Sequence, residues 1–519
     1  KLIMKKLILL ISFISFLAKA QDITVASGKS FTIEKTGSVT MSGNFSNSGT
    51  FILKSESDEF SSIIIDGTVS GNITYNRYVN SVGTNEWDLI GSPVEGQSIS
   101  SFASANVSTL ATNGDQFAIG PYDNETNTWT NYTTSTIGNA GDFDIGKGQQ
   151  MATISGGTGI LKFTGTPAST LQTQAIIDND AANSGAGTQW NLIANPFPSY
   201  LQGNTNAHST NNFLTVNSDK LDDEYEAIYG YDADGTGYTV YNNSSAALFL
   251  APGQGFMVAS DNTSSDTVSF TTAMRTVVGT DDFISGVNPS SFELILKLYE
   301  GNTEIDYTRF YFEDGLTLGL DPGYDAGHFN QSASLMSRLV AEDQGVGFAV
   351  NAMGIASLDD VVVPLVINRT AGVDFRIRID TFGLPAGTNV YLEDNQNGTM
   401  TLLNEQDFEL TPANNLSGAG RFFIHFIESS LSIEDEIKTN LLNVYKLSAH
   451  NFITVEGLAN QSSQTTLRLY DFLGKELVSK TFLNNINTQT ISTQGLTSGI
   501  YIVKLKSENN LITKKLFIK

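Results

Sequence analysis

The sequence has no cysteine in 519 residues. Disulfides, thiolate metal sites and thiol nucleophiles are therefore excluded. A chain without disulfides holds together through buried apolar area, and this one is long enough to form several domains.

Long apolar runs are also missing after the first twenty residues. Runs such as Val361–Ile367, which contains Pro364, are far below the roughly 20 residues that cross a bilayer, so the sequence predicts no transmembrane segment in the mature chain.

Positive charge is scarce. The chain holds 29 Lys and Arg against 54 Asp and Glu, which gives a formal net charge of −25. Binding to nucleic acid or to an anionic membrane releases counterions from a basic surface, and no basic stripe is present over most of the chain. The composition therefore predicts an acidic, solvated exterior and no nucleic-acid partner.

The start of the chain has the pattern of a secretory signal peptide. Two lysines precede an uncharged apolar run over Leu7–Leu17. The small residues Ala18 and Ala20 stand where signal peptidase requires them. We therefore predict that residues 1–20 are a signal peptide and that the mature chain starts at Gln21.

The rest of the sequence predicts an all-β, multidomain protein. It contains 47 glycines, and its apolar residues alternate instead of recurring every three or four positions. Residues 21–79 repeat short apolar pairs between glycine turns such as Gly28, Gly37, Gly43 and Gly49. This pattern is typical of either a β-solenoid-like lead or a meander of short strands.

An internal duplication follows over residues 80–280. Three landmarks recur in the same order: "EWDLIGSPVEG" and "QWNLIANPFPS", "FAIGPYDNETNTWTNY" and "EAIYGYDADGTGYTVY", and "IGKGQQMAT" and "LAPGQGFMV". The offsets are 190 − 87 = 103 for the tryptophans, 231 − 122 = 109 for the tyrosines and 253 − 148 = 105 for the glycines. The repeat predicts two tandem β modules, over about 80–170 and 180–280.

Two further segments complete the predicted order. Residues 281–428 alternate cleanly in stretches such as "FELILKLY" and "FRIRIDTF", which indicates a β-sandwich. Residues 429–440 have the composition of a linker. We predict that residues 441–519 form a small final domain of strands. Residues 431–519 hold ten Lys or Arg against seven Asp or Glu, which is a net charge of 10 − 7 = +3. The remaining chain therefore carries a net charge of −25 − 3 = −28.

The final domain carries the motifs "LYDFLGK", "LTSGIYIV" and "KKLFIK", the last at the chain end. In this order they resemble the type A C-terminal sorting domain of the type IX secretion system of Bacteroidetes. One departure is that Val444-Tyr445 is followed by Lys446-Leu447-Ser448, where the family commonly has a Pro-Asn-Pro turn. That departure concerns the geometry of the first turn.

The resemblance implies a small C-terminal β-sandwich that directs export through the periplasm and across the outer membrane. It also implies a translocon, an outer-membrane shuttle and a sortase as partners. The protein would then be secreted or held at the cell surface, where it is released or joined to a surface polysaccharide. The residues that carry the implied sorting signal are Tyr470, Asp471, Gly474, Lys475, Gly499, Tyr501, Val503, Lys514, Lys515, Leu516, Ile518 and Lys519. The alternative for the terminal lysines is that they protect an edge strand.

No catalytic residue is predicted. The sequence has no G-x-S-x-G or H-E-x-x-H motif, and its four histidines lie far apart. Paired carboxylates for a glycosidase cannot be chosen among 54 acids, and we expect Glu293, Glu304 and Asp306 to face solvent on their strands. We therefore expect no enzyme and no cofactor, with Ca²⁺ as a possible exception at Asp321 and Asp325 in a glycine-bearing loop.

A possible ligand contact is Trp129, in the polar hairpin "NETNTWTNY". The alternative is that it forms a cross-strand aromatic pair. Together these observations predict a non-enzymatic structural or adhesion protein exported by the type IX system. The alternatives are a carbohydrate-binding surface protein that captures polysaccharide and, less favoured, a secreted hydrolase.

Overall fold

The computed structural model describes residues 19–82, 87–180, 187–232, 237–279, 292–428, 443–446, 452–460, 463–471, 475–483, 488–497, 499–507 and 511–518. Within these ranges the protein is nearly all β, which confirms the predicted fold class. The chain divides into two compact units, Lys1–Ser429 and Ser430–Lys519. The predicted linker over 429–440 lies outside the described residues. We call the first unit the body and the second the sorting unit.

The body begins with nine short strands. They are β1 (Lys19–Ala20), β2 (Ile23–Val25), β3 (Ser30–Ile33), β4 (Ser38–Met41), β5 (Phe45–Asn47), β6 (Thr50–Lys54), β7 (Ser62–Ile65), β8 (Val69–Ser70) and β9 (Ile73–Tyr78). Every third strand pairs in parallel, in the orders β1-β4-β7, β2-β5-β8 and β3-β6-β9. A meander would pair neighbouring strands antiparallel, so this segment is a three-faced β-solenoid.

The solenoid corners depend on glycine. A Cβ at Gly43 would lie 1.5 Å from the carbonyl oxygen of Gln21, and a Cβ at Gly67 would lie 2.2 Å from the carbonyl oxygen of Gly43. Successive rungs therefore stack backbone against backbone at this corner. Aligned aromatic rings also stack between rungs, since the exposed Phe31 lies on the buried Phe51 with ring centroids 5.0 Å apart.

The first module follows. Its elements are β10 (Asp88–Gly91), β11 (Val94–Glu95), α1 (Ile99–Ala105), β12 (Thr112–Asn113), β13 (Gln116–Phe117), β14 (Ile119–Gly120), β15 (Tyr122–Asp123), β16 (Thr128–Trp129), β17 (Gly148–Met151) and β18 (Ile160–Pro167). Strand β18 pairs with β9, so one sheet in the order β11-β18-β9-β6-β3 joins the solenoid to this module.

The second module repeats this plan. Its elements are β19 (Gln172–Ile176), β20 (Trp190–Ala194), β21 (Tyr200–Gln202), α2 (Phe213–Asn217), β22 (Ile228–Asp232), β23 (Gly237–Tyr241), β24 (Phe249–Leu250), β25 (Gly255–Ala259), β26 (Asp266–Phe270) and β27 (Arg275–Thr276). The sheet order β10-β17-β14 of the first module corresponds to β20-β25-β22 here. Both helices are capped by a side chain, since Ser98 Oγ accepts the Ser101 N–H and Asn212 Oδ1 accepts the Thr215 N–H.

The strand register corrects one of the repeat landmarks. Gly91 pairs with Gly148 in the first module, and Ala194 pairs with Gly255 in the second. Because Gly91 and Ala194 are equivalent, Gly148 corresponds to Gly255, at an offset of 255 − 148 = 107. The predicted equivalence of Gly148 with Gly253 is therefore wrong by two residues. The shared Gly-Gln letters suggested it, whereas the hydrogen-bonded pairs define the repeat.

The two modules bond to each other symmetrically. The Gly91 N–H donates to the Gly253 carbonyl, and the Ala194 N–H donates to the Gly146 carbonyl, each over 2.8 Å. Gly146 and Gly253, which are 107 residues apart, both adopt positive φ angles of 83° and 69°. The modules therefore form a pseudo-twofold pair in which each supplies the same backbone contact.

The rest of the body is one sheet of eleven strands. They are β28 (Phe292–Glu300), β29 (Thr303–Phe312), β30 (Ala326–Gly327), β31 (Leu335–Ser337), β32 (Phe348–Met353), β33 (Val361–Ile367), β34 (Phe375–Phe382), β35 (Thr388–Asp394), β36 (Thr399–Leu402), β37 (Phe408–Leu410) and β38 (Phe422–Glu428). Their order is β36-β35-β38-β33-β31-β32-β29-β28-β34-β37, and β30 pairs with β32. Phe408 of β37 meets Phe422 of β38 with ring centroids 5.8 Å apart. The predicted sandwich is therefore one continuous sheet that curls over a single core.

This sheet packs on the second module through an aromatic cluster. Trp190 is buried, and its ring centroid lies 4.3 Å from that of Phe329 and 4.6 Å from that of Tyr229. The Tyr229 hydroxyl donates to the Gly327 carbonyl over 2.8 Å. Trp190 is thus a core residue of the body.

The sorting unit is a small β-sandwich. Its strands are β39 (Asn443–Tyr445), β40 (Phe452–Glu456), β41 (Thr465–Asp471), β42 (Glu476–Phe482), β43 (Gln489–Ser492), β44 (Gly499–Lys506) and β45 (Leu511–Ile518). They form a three-stranded sheet, β39-β40-β43, and a four-stranded sheet, β42-β41-β44-β45. Buried side chains from both sheets, such as Val455, Leu469 and Val503, share one core.

Candidate functional site

Strand β44 brings the three C-terminal motifs together. It lies between β41, which carries the Leu-Tyr-Asp motif, and β45, which carries the terminal lysines. In the register, Tyr501 stands opposite Asp471 on one side and Leu516 on the other. Gly499 stands opposite Ile518. The first and last motifs, which are 514 − 475 = 39 positions apart at their nearest residues, therefore lie on either side of the second in one sheet.

Asp471 closes the turn that follows β41. Its Oδ1 accepts the Lys475 N–H over 2.8 Å, and its own N–H donates to the Lys475 carbonyl over 3.0 Å. An Asp side chain that accepts a nearby backbone N–H is a common way to fix a turn. Gly474, within this turn, lies outside the described residues. The Asp of the motif thus holds the connection between β41 and β42 through the backbone of Lys475.

Tyr501 fixes the loop that leads into β44. The side chain is buried, and its hydroxyl donates to the Thr497 carbonyl over 2.7 Å. Because a buried hydroxyl requires a partner, this bond explains why the motif has Tyr and not Phe at position 501. Val503 and Ile518 are buried in the same core, so this part of the predicted signal is the inner face of the sheet.

The opposite face of this sheet is basic. Arg468 of β41, Lys504 and Lys506 of β44 and Lys515 of β45 occupy alternate positions of three adjacent strands. All four are exposed, and the Lys504 Nζ lies 5.8 Å from the centroid of the Tyr470 ring. One acid lies beside this face, with Glu476 Oε2 at 3.7 Å from Arg468 Nη1. A cationic face of this kind stands out on a chain of net charge −25.

Strand β45 is an edge strand of its sheet. Lys514 stands opposite the buried Val503, which places it on the core side of the strand, yet its side chain is exposed. An inward-facing charge on an edge strand prevents further strands from adding. The lysines of β45 therefore divide into Lys514, in an edge-protecting position, and Lys515, on the basic face. Lys519 lies outside the described residues.

The comparisons with known proteins agree with the division of the chain into the body and the sorting unit. Residues 448–519 match the family described as a secretion system C-terminal sorting domain, and residues 6–426 match a domain of unknown function (DUF8693). The chain belongs to the DUF8693 family. The sorting-domain match makes it a cargo of the type IX secretion system, exported to the cell surface or the medium. The DUF8693 match spans the solenoid, both modules and the eleven-stranded sheet.

Other comparisons add no function to the DUF8693 body. No curated protein matches the chain. The solved structure titled "Biofilm associated protein - BSP domain" is 8% identical to this chain. The alignment covers 67% of this chain and 96% of that structure, with a TM-score of 0.14. The extracellular domain of a hybrid two-component system from B. thetaiotaomicron is 13% identical, covering 79% of this chain and 72% of its own, with a TM-score of 0.10. Likenesses with such low scores carry no argument.

The predicted cleavage site is described only in part. Ala18 lies outside the described residues, whereas Ala20 belongs to β1 and pairs with Met41. Cleavage after Ala20 would remove β1 and leave β4 with β7. Among the residues that the structure describes, no helix is long and apolar enough to cross a membrane.

Trp129, the predicted ligand contact, forms a cross-strand pair in the DUF8693 body. It stands opposite Tyr122 in the β15–β16 hairpin, and the ring centroids are 4.9 Å apart. Its side chain remains 38% exposed. The structure thus places Trp129 in the alternative arrangement, with one side of the indole against Tyr122.

The carboxylates of Asp321 and Asp325, the predicted calcium ligands, accept hydrogen bonds from backbone N–H groups. Asp325 is fully buried, and its two carboxylate oxygens accept the N–H groups of Asp321 and Ala352, each over 2.7 Å. Asp321 Oδ2 accepts the Thr317 N–H over 2.6 Å. In the described part of the chain, no three His, Asp or Glu side chains are grouped so as to hold a metal ion. Their arrangement is that of carboxylates that fix loops.

Sequence reasoning missed the buried acids of this region. Burial raises the pKa of Asp325 to about 7 and that of Glu226 to about 7, and it raises the pKa of Asp222 to about 6. Glu293, which was expected to face solvent, is only 4% exposed, so that expectation is wrong. Alternation in the sequence does not reveal that both faces of a strand are covered.

Proposed function

We propose that the protein is a non-enzymatic structural or adhesion component of the cell surface. Its sorting unit delivers the DUF8693 body across the outer membrane, and the body then acts as a rigid scaffold. The observation that supports this proposal is the continuity of the body, whose segments are bonded to each other through backbone groups.

Three contacts make up this continuity. The solenoid sheet extends into the first module through β9 and β18. The two modules exchange the bonds from Gly91 to Gly253 and from Ala194 to Gly146. The last sheet is bonded to the second module where the Gly327 N–H donates to the Glu224 carbonyl over 2.7 Å. Backbone-bonded segments with fused cores resist hinge motion, a property suited to a structural role and of no use to a closing active site.

The test compares three strains. One makes the full chain, one lacks it, and one makes the chain with Trp190→Ala, which removes the indole that packs against Tyr229 and Phe329. We expect attachment to a solid surface or to neighbouring cells to fall in both altered strains. Cleavage of any polysaccharide by the purified full chain would contradict the proposal and favour a hydrolase, and equal attachment by all three strains would also contradict it.

A further inference from the structure

A polar cleft opens beside strands β31 and β33. Its volume is about 670 Å³, within the range of small-molecule sites. Met336 and Val366 stand directly opposite each other on the two strands and are buried beneath it. The cleft therefore has an apolar floor, built on hydrogen-bonded strands and not on a loop.

Reciprocal hydrogen bonds hold its walls. The Arg369 N–H donates to the Leu416 carbonyl over 3.1 Å, and the Leu416 N–H donates to the Arg369 carbonyl over 2.8 Å. Across the cleft, Gln331 Nε2 donates to the His328 carbonyl over 2.9 Å, and Gln331 Oε1 accepts the Gly347 N–H over 2.7 Å. Walls fixed in this way provide preorganised positions for a ligand.

Two arginines line this cleft, and none of its lining residues is acidic. The side chain of Arg369 is 9% exposed and that of Arg338 is 17% exposed. The Nε of each guanidinium and the Nη1 of Arg338 are buried without a hydrogen-bond partner. Buried donors without partners are rare because each costs about 1–3 kcal/mol. These guanidinium groups thus retain capacity for an acceptor that the chain itself does not supply.

The two acids near the arginines do not use up this capacity. Arg369 Nη2 lies 2.6 Å from Glu300 Oε2, and Arg338 Nη1 lies 3.6 Å from Asp343 Oδ1. The second distance exceeds that of a hydrogen bond. The side chains of Glu300 and Asp343 are 51% and 39% exposed, and pairs with exposed carboxylates are weak.

We propose that the cleft binds a saccharide that bears a carboxylate or a sulfate group. A guanidinium offers a planar fork of donors that matches both anions. The hydroxyl groups of Ser332, Thr370 and Ser417 line the same cleft and suit sugar hydroxyls, and the apolar floor suits the face of a sugar ring. This site goes beyond the structural role proposed above and does not depend on it, since a rigid scaffold can carry a glycan site.

The test is calorimetric titration of the purified full chain at low ionic strength. The probes are trigalacturonate, a sulfated chondroitin disaccharide, uncharged maltotriose and a peptide of four aspartates. We expect saturable binding of at least one charged saccharide, which then identifies carboxylate or sulfate as the anion, and no binding of maltotriose. Arg369→Gln should weaken this binding by roughly tenfold or more, since a charged hydrogen bond is lost.

Ser417→Glu covers the possibility that Arg369→Gln impairs folding. Ser417 is exposed, so the substitution places a negative charge in the cleft without disturbing the core, and we expect it to abolish binding. Arg378→Gln is the matched control, because Arg378 is exposed on β34 and outside the cleft lining. The proposal is overturned if neither charged saccharide binds, if Ser417→Glu binds as well as the wild type, or if only the aspartate peptide binds.

Discussion

At the scale of single residues, the sorting motif is largely a set of structural contacts. Asp471 fixes a turn and Tyr501 fixes a loop, whereas Lys504 and Lys515 are exposed on the outer face. A motif of this kind combines residues that hold the fold and residues that are exposed to solvent in the same strand. Only the alternation of side chains across the sheet separates the two.

The first residue-scale prediction concerns Tyr501. Tyr501→Phe removes the hydrogen bond to the Thr497 carbonyl and should destabilise the sorting unit by about 1 kcal/mol. The measurement is hydrogen exchange of the β44 amides in the full chain, which we expect to be faster. Tyr470→Phe, on the outer face of the same sheet, is the control and should leave the exchange unchanged. Equal exchange in both variants would refute the role given to Tyr501.

The second residue-scale prediction concerns Gly43. Gly43→Ala places a Cβ against the Gln21 carbonyl, so the rungs must separate, and we expect a loss of about 2 kcal/mol or more in the free energy of unfolding. Urea unfolding of the full chain measures it. Gly138→Ala is the control, because a Cβ there meets no atom within 4 Å. A Gly43→Ala protein as stable as this control would show that the rungs do not stack in this way.

At the scale of elements, sequence patterns gave strands and repeats more reliably than pairings. The alternation predicted strands throughout, but the Gly-Gln letters misplaced the third landmark by two residues, because only hydrogen bonds between strands define a register. The predicted sandwich of residues 281–428 proved to be one curled sheet, since alternation shows which face is apolar and not which strands bond. The motifs at the chain end were more informative, because they were tied to turns as well as to strands.

The element-scale prediction concerns the basic face of the four-stranded sheet. We expect Lys504→Glu combined with Lys515→Glu to reduce export of a folded protein, because the substitutions reverse the charge of an exposed surface without disturbing the core. Immunoblotting of periplasm, cell surface and medium measures it. Lys29→Glu with Lys162→Glu makes the same charge change on the exposed surface of the body and should leave export unchanged. Normal export of the first pair would assign recognition to another face.

At the scale of the whole molecule, the cleft and the buried acids could not be predicted from the sequence. Arg338 and Arg369 come from two loops, and a third loop at Leu416 completes the wall. Asp222, Glu226 and Asp325 lie in segments of the chain up to 103 residues apart, by 325 − 222. Burial and proximity between distant segments depend on the tertiary fold, and no local pattern records them.

These buried acids predict how stability depends on pH. Their pKa values are raised in the folded state, so the folded chain holds protons that the unfolded chain releases as the pH rises. The contribution of these carboxyl groups to the free energy of unfolding is greatest below about pH 4, and it is lost as the pH rises to about 7. We expect the urea midpoint of the full chain to fall between pH 5 and 7.5. Glu226→Gln should flatten this slope, and Glu405→Gln, at an exposed position away from these acids, should not. An unchanged slope in Glu226→Gln would contradict the assignment.

Deletion of residues 499–519 tests whether the sorting unit delivers the body. The deletion removes β44 and β45, hence two of the four strands of the basic sheet. The measurement is the amount of body in the periplasm, on the cell surface and in the medium of cells that make either chain. We predict that the full chain reaches the surface or the medium and that the deleted chain stays in the periplasm. Surface delivery of the deleted chain at the level of the full chain would contradict the account.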